Sequence, residues 1–347
     1  MIDARIRSVF PPAGGVADRV DGHLQLLLVA GSVVWVIVVT AMFVAVLRRR
    51  RAERTEGDDG VPGDEPGRGH LVVAFLGGVA PAVIILGVMA DSVLTLRDTG
   101  GTADASRAPV VVEVDGRQFW WEVRYPEHDV ETANEIHIPT GQDVRVELTS
   151  DDVIHSFWVP QLAGKVDLVP GRTNVVTLHA DEPGTYWGRC AEYCGLQHAW
   201  MRFVVVAHDE PEYAGWLEAQ GRPAESPGRT DDGAGGPDGG DETAGGARPG
   251  AGPDTEEVAA GREIFMSSSC VYCHTIAGTE ARGTLGPDLT HLASRQMIGA
   301  GVLPNDRESL ARWITGPQDV KPGNAMPGTD LSEDELDALI TYLESLE

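Results

Sequence analysis

The sequence predicts a multidomain chain: a two-helix transmembrane hairpin, an all-β sandwich or barrel, and a small all-α domain. Three observations carry that prediction. Two long apolar runs stand near the N-terminus, a turn-punctuated stretch rich in β-branched residues follows, and a Gly/Asp-rich segment then gives way to leucines at helical spacing. With 347 residues the chain has room for two or three domains of roughly 100–200 residues each.

No charge interrupts Leu24 to Leu47. About 24 residues at about 1.5 Å each give about 36 Å of helix, enough for an apolar core of about 30 Å. The second run, Leu71 to Leu96, is similar except for Asp91 near its end, within reach of the headgroup region. Buried core helices would be shorter and show a polar face. A cleavable signal peptide fits poorly, because Arg48, Arg49, Arg50 and Arg51 follow the first run at once. With Arg54 and Arg68 they mark the connection as cytoplasmic. The expected order is an outer segment over 1–23, spans over 24–47 and 71–97 with a cytoplasmic loop over 48–70, and everything later on the outer side of the cell membrane, periplasmic or extracellular.

The formal net charge of -26 lies almost entirely in that outer part. Such an acidic surface excludes nucleic acid as a partner. It suits both a solvated, self-repelling surface and a docking field for a basic redox protein.

Within 108–219, Val110-Val111-Val112-Glu113-Val114 and Val144-Arg145-Val146-Glu147-Leu148 read as strands. Asp115-Gly116, Pro139-Thr140-Gly141, Pro170-Gly171 and Pro183-Gly184 read as turns, and short strands at this spacing predict a sandwich or barrel. From 220 to 254 large apolar side chains nearly vanish, which predicts a flexible linker of about 30–35 Å root-mean-square span, long enough for one domain to roam over another. In the last domain, 255–347, Ser332 and Glu335 form a predicted capping box stapled by Leu331 and Leu336, with Leu336, Leu339, Ile340 and Leu343 on one helical face.

The four cysteines fall into two pairs. Cys190 and Cys194 share a dozen residues with His198 and Met201, a soft donor set suited to copper and too poor in hard oxygen for calcium. A disulfide and a shared helix face are the plainer readings. Cys190-x-Glu192-x-Cys194-x-x-x-His198-x-x-Met201, some way after His155 in Asp152-Val153-Ile154-His155-Ser156, resembles the dinuclear CuA site of cytochrome c oxidase subunit II. The resemblance spans roughly residues 20–218 and implies a cupredoxin sandwich. It implies that Cys190 and Cys194 bridge two coppers, that His155 and Met201 complete one, and that His198 and the Glu192 carbonyl complete the other. It further implies a magnesium shared between the Glu192 side chain and subunit I.

Two departures stand out. Where the family has Trp-aromatic-Trp for electron uptake, this chain has Phe119-Trp120-Trp121, leaving Trp120 and Trp121 as candidates beside their ordinary role in packing. Where many relatives begin the second span with a glutamate tied to a proton path, this chain has Ala74, with His70 and Glu65 upstream.

Cys270-Val271-Tyr272-Cys273-His274 is the attachment signature of a c-type haem, with His274 as proximal ligand. A zinc site would need a second ligand pair. Lys321-Pro322-Gly323-Asn324-Ala325-Met326-Pro327-Gly328 resembles the distal loop of class I cytochromes c and implies Met326 as sixth ligand, with Met297 as competitor. Gly286-Pro287-Asp288-Leu289 resembles the loop flanking the haem. His137, His179, His208 and His291 lack ligand-like neighbours and read as structural or surface residues.

Together the resemblances imply the electron-transfer subunit II of a haem-copper terminal oxidase. Electrons would pass from a cytochrome c or cytochrome bc donor through haem c to CuA, then to subunit I for reduction of O2 to water, with subunit III as a further partner. A CuA-bearing subunit of a nitric oxide reductase is the alternative. A membrane-tethered copper delivery protein is a third reading, against which the haem signature argues.

Overall fold

The computed structural model describes residues 11–55, 73, 75–99, 108–223 and 255–347. It forms two units, 15–101 and the remainder.

In the first unit α1 spans Gly15–Thr55. After a π-helical turn over Phe75–Val79, α2 spans Ala80–Thr99. Both are apolar and long enough to cross a membrane. The helix α1 starts well before Leu24 and runs past Leu47 through the arginines, because polar residues just outside an apolar stretch continue a helix at no hydrocarbon cost. Asp91 does not simply reach outward: its carboxylate lies 2.5 Å from His23 Nδ1, and Ser92 Oγ lies 3.2 Å from His23 Nε2. Residue 74 and the upstream His70 and Glu65 lie outside the described residues.

The second unit opens with Pro11–Gly14 laid along the sandwich: Ala13 N–H donates to the Gln161 carbonyl at 2.9 Å and the Ala13 carbonyl accepts from Asp181 N–H at 3.1 Å. The sandwich strands are β1 Val110–Arg117, β2 Trp120–Tyr125, β3 Val130–Ala133, β4 Glu135–Pro139 and β5 Val144–Ser150. They continue with β6 His155–Trp158, β7 Val166–Leu168, β8 Asn174–Leu178, β9 Gly184–Cys190 and β10 Arg202–His208. One sheet runs β3-β2-β1-β5-β8 and the other β4-β10-β9-β6-β7. The alternation in β5, where Val144, Val146 and Leu148 are buried, turns every second side chain into the gap between the sheets. There they meet Ile136, Ile138, Phe157 and Phe203. A helix, α3 Glu210–Gln220, closes this part, and its Trp216 stacks on the buried His137 at 4.0 Å.

The C-terminal part is helical, as its leucine spacing predicts. Its elements are α4 Thr255–Ser267, a two-strand ribbon of β11 Met297–Ile298 and β12 Leu303–Pro304, α5 Arg307–Thr315, the short α6 Pro317–Val320, and α7 Glu333–Glu344. The capping box is present in full: Ser332 Oγ accepts from Glu335 N–H at 3.3 Å, and Glu335 Oε2 accepts from Ser332 N–H at 2.9 Å. Gly261 lets α4 pack tightly on α7, since a Cβ there would collide with the Ala338 carbonyl.

In this structure the C-terminal domain is docked on the sandwich. Residues 224–254 of the predicted linker lie outside the described residues. Polar clasps and one small apolar seal make the contact, and neither leaves a periodic signal in the sequence. Glu135 Oε1 accepts from the N–H groups of Gln296 and Met297 at 2.7 and 2.9 Å. Arg202 N–H donates to the Ala300 carbonyl at 3.1 Å, and Ala300 covers Trp120 and Ala133 in a buried cluster. At the end of α3, the Arg222 carbonyl accepts from His291 Nε2 at 2.9 Å.

Candidate metal and haem centres

The end of β9, the start of β6 and the loop 191–201 converge on one pocket of sulfur and nitrogen. Cys190 Sγ and Cys194 Sγ are 3.8 Å apart, far beyond a disulfide bond of about 2.05 Å, and both cysteines are free. His155 Nδ1 lies 3.9 Å from Cys190 Sγ, His198 Nδ1 lies 3.9 Å from Cys194 Sγ, and Met201 Sδ lies 3.8 Å from Cys194 Sγ. The Glu192 carbonyl oxygen is 3.1 Å from Cys190 Sγ. His155, Cys190 and Cys194 alone bring three ligand atoms within 4.8 Å of one another, and all three are buried.

Each donor atom is aimed by its surroundings. The His155 Nε2–H donates to Asp152 Oδ1 at 2.8 Å, which turns the Nδ1 lone pair toward the sulfurs. Gly116 leaves room for that ring, because a Cβ there would sit 3.0 Å from His155 Cδ2. Gln118 Nε2–H holds the Cys194 carbonyl at 2.5 Å. A shared proton ties the two thiols: hydrogen bonding from Cys194, assisted by His155, pulls Cys190 down to about 3, and the same sharing pushes Cys194 up. Two cysteine sulfurs, two imidazoles and a thioether form a soft cradle, which fits copper.

The second centre lies in the helical part. His274 Nδ1–H donates to the Pro287 carbonyl at 2.7 Å, leaving Nε2 free to ligate iron. Gly286 is required beside it, since a Cβ there would sit 2.6 Å from His274 Cε1. Burial holds the imidazolium form of His274 down, so the ring is neutral, the state a ligand needs. Cys270 and Cys273 are free and half-buried, and the carbonyl of Cys270 accepts from the N–H groups of Cys273 and His274 at 3.1 and 3.0 Å. This arrangement fits a covalently attached haem.

Met326 sits half-buried in a loop braced by side chains: its N–H donates to Asn324 Oδ1 at 2.8 Å, and Gln318 Nε2–H donates to its carbonyl at 3.0 Å. Met297 lies instead on β11, its N–H engaged by Glu135 across the docking contact.

The remaining predicted residues are placed as follows. Trp121 is wholly buried, 5.0 Å from the Phe203 ring and 6.1 Å from the His155 ring. Trp120 lies beneath Ala300. The Glu192 carboxylate is exposed, 3.7 Å from Lys165 Nζ. Asp152, Glu135, Gln197 and Lys321 have structural partners that the motif reading assigned no role. For Asp152 a signal existed in its position three residues before His155.

Residues 126–208 match the profile of the cytochrome c oxidase subunit II periplasmic domain, and residues 258–347 match that of cytochrome c. The cytochrome c oxidase subunit 2 of Alkalihalophilus pseudofirmus is 36% identical over 96% of this chain and 89% of the relative. That of Bacillus sp. strain PS3 is 32% identical over 98% and 91%. A crystal structure of the periplasmic domain of subunit II of cytochrome oxidase from Bradyrhizobium japonicum is 30% identical, covering 33% of this chain and 94% of that one, with a TM-score of 0.32.

Proposed function

The chain belongs to the cytochrome c oxidase subunit 2 family, as a haem-copper oxidase subunit carrying a cytochrome c domain, and from that premise we propose that it relays electrons singly from an upstream donor through its haem module to its copper module and on to subunit I. The observation that carries the reading is the docking of the two electron-carrying modules of one chain against each other, with the 321–323 turn of the Met326 loop lying on the copper ligand loop.

In this reading Cys190, Cys194, His155, His198, Met201 and the Glu192 carbonyl would hold the copper, and Cys270, Cys273, His274 and Met326 would hold the haem. The bound groups supply one-electron redox chemistry. The protein's contribution is to fix the donors: Asp152 sets the His155 tautomer, Pro287 sets that of His274, and the two sheets keep water from the thiolates. The exposed Glu192 carboxylate is the group the chain would offer to a magnesium shared with subunit I. The donor is a cytochrome c or bc complex, subunit III completes the assembly, and the two helices anchor the chain with both modules on the periplasmic side.

The test uses the purified oxidase complex. After a light pulse that reduces haem c, copper reduction should follow at a rate independent of protein concentration. Cys194→Ser should abolish it while leaving the haem spectrum intact. A rate proportional to concentration would refute the relay.

A further inference from the structure

The copper ligand loop carries one buried side chain that is neither a ligand nor apolar. Gln197 lies immediately before His198 and is 2% exposed. Its Nε2–H donates to the Pro322 carbonyl, in the loop that also carries Met326. Two further contacts press the same loop down. Lys321 Nζ donates to the Phe119 carbonyl at 3.2 Å, and Gly323, at φ +88°, comes so near that a Cβ there would lie 3.0 Å from Leu196 Cδ1. The loop is rigid behind these contacts: Gln318 Nε2–H holds the Asn324 carbonyl at 2.9 Å, and Gln318 Oε1 accepts from Gly323 N–H at 2.9 Å.

Trp120 is arranged otherwise. It is 9% exposed, sealed beneath Ala300, with the Arg117 guanidinium 5.7 Å from its ring centroid. A soluble donor has no access to an indole already covered by the chain's own haem module. Trp120 therefore has the surroundings of a docking plug.

We propose that Gln197 is the positioning residue that couples the two modules, and that electrons enter the copper centre across the Pro322 carbonyl and the Gln197 amide to His198, not through the Trp120 indole. Each transfer takes one electron from reduced haem c, leaving it ferric, and adds one to the oxidised dicopper centre. No bond is made or broken and no proton moves. The assignment rests on the relay reading above.

The test compares Gln197→Met, which keeps length and packing but cannot donate, with Trp120→Phe in the intact oxidase complex. Three quantities are read: copper reduction after a haem-reducing pulse, the dicopper and haem spectra, and hydrogen exchange at the Arg202 amide, which is bonded across the contact to Ala300. With both spectra unchanged, Gln197→Met should slow transfer and speed Arg202 exchange by about threefold to tenfold, the equilibrium worth of one such hydrogen bond. Trp120→Phe should slow transfer less. Transfer in Gln197→Met as fast as in the parent overturns the assignment, as does a larger loss in Trp120→Phe or a shifted dicopper spectrum, which would mark Gln197 as a support of the ligand loop alone. If the parent protein shows no transfer from haem c to copper, the relay itself falls.

Discussion

Removing the Glu135 side chain should release the haem module from the copper module without unfolding either. Glu135 opens β4 with its side chain 1% exposed, and one oxygen takes two backbone N–H groups from Gln296 and Met297. Hydrogen bonds to a charged group are worth about 1.5–3 kcal/mol each, and buried donors left without a partner cost a similar amount. Taking the lower end for both, Glu135→Ala should weaken docking by about 3 kcal/mol, roughly a hundredfold in the docking equilibrium. Glu135→Gln keeps the acceptor and loses the charge, and should cost about 1 kcal/mol, roughly fivefold. The assay is hydrogen exchange on the intact protein. In Glu135→Ala the amides of Gln296 and Met297 should exchange roughly a hundred times faster, while those of the β9–β10 ladder and of α7 stay slow. Unchanged protection at Gln296 and Met297, with both cores intact, would show that the docked arrangement does not depend on this carboxylate.

Two further outcomes are expected. Met326→Ala should remove the Met-sulfur absorption band of the haem and lower its potential, because Met/His ligation raises it, whereas Met297→Ala should change neither; the reverse pattern would move the axial role to β11. Docking should also tighten as pH rises. Burial, with Arg202 beside it and the Cys194 thiol opposing, brings Lys321 down from its ordinary 10.5 to about 7 in the docked state. A depressed group contributes stability that is fully present above its free value and is lost as pH falls toward its docked one. Exchange at Gln296 and Met297, corrected for its intrinsic pH dependence, should therefore slow between pH 7 and 10 relative to the cores, and a flat profile would place Lys321 outside the docking equilibrium.

The sequence discloses the parts of this molecule whose physics is local or compositional. The two apolar helices follow from long apolar runs, α7 from its capping box, and the two candidate centres from cysteine and histidine spacings that few other chemistries use. The ends of the spans were less legible: charged residues such as Asp18 and Arg48 do not stop a helix, so α1 extends beyond the apolar run that defines it. Gln197, Glu135 and Lys321 were legible only as polar residues on an acidic surface. Each acts on a backbone group of a segment more than a hundred positions away in sequence, and no periodicity or motif encodes a partner that is merely a carbonyl or an N–H.

That dependence on backbone partners also decides how the contact responds to its surroundings. A chain of net charge -26 gains little from long-range attraction between two of its own acidic modules. The clasps at Glu135, Gln197, Lys321 and Arg202 are short-range and largely buried, where salt screens weakly. Covalent connection supplies the encounter instead, holding the haem module at an effective concentration of order millimolar for a tether of this length. Modest clasps then suffice to keep it docked. The docked population should accordingly vary little with ionic strength, in contrast to the steered, salt-sensitive encounter of two separate redox proteins.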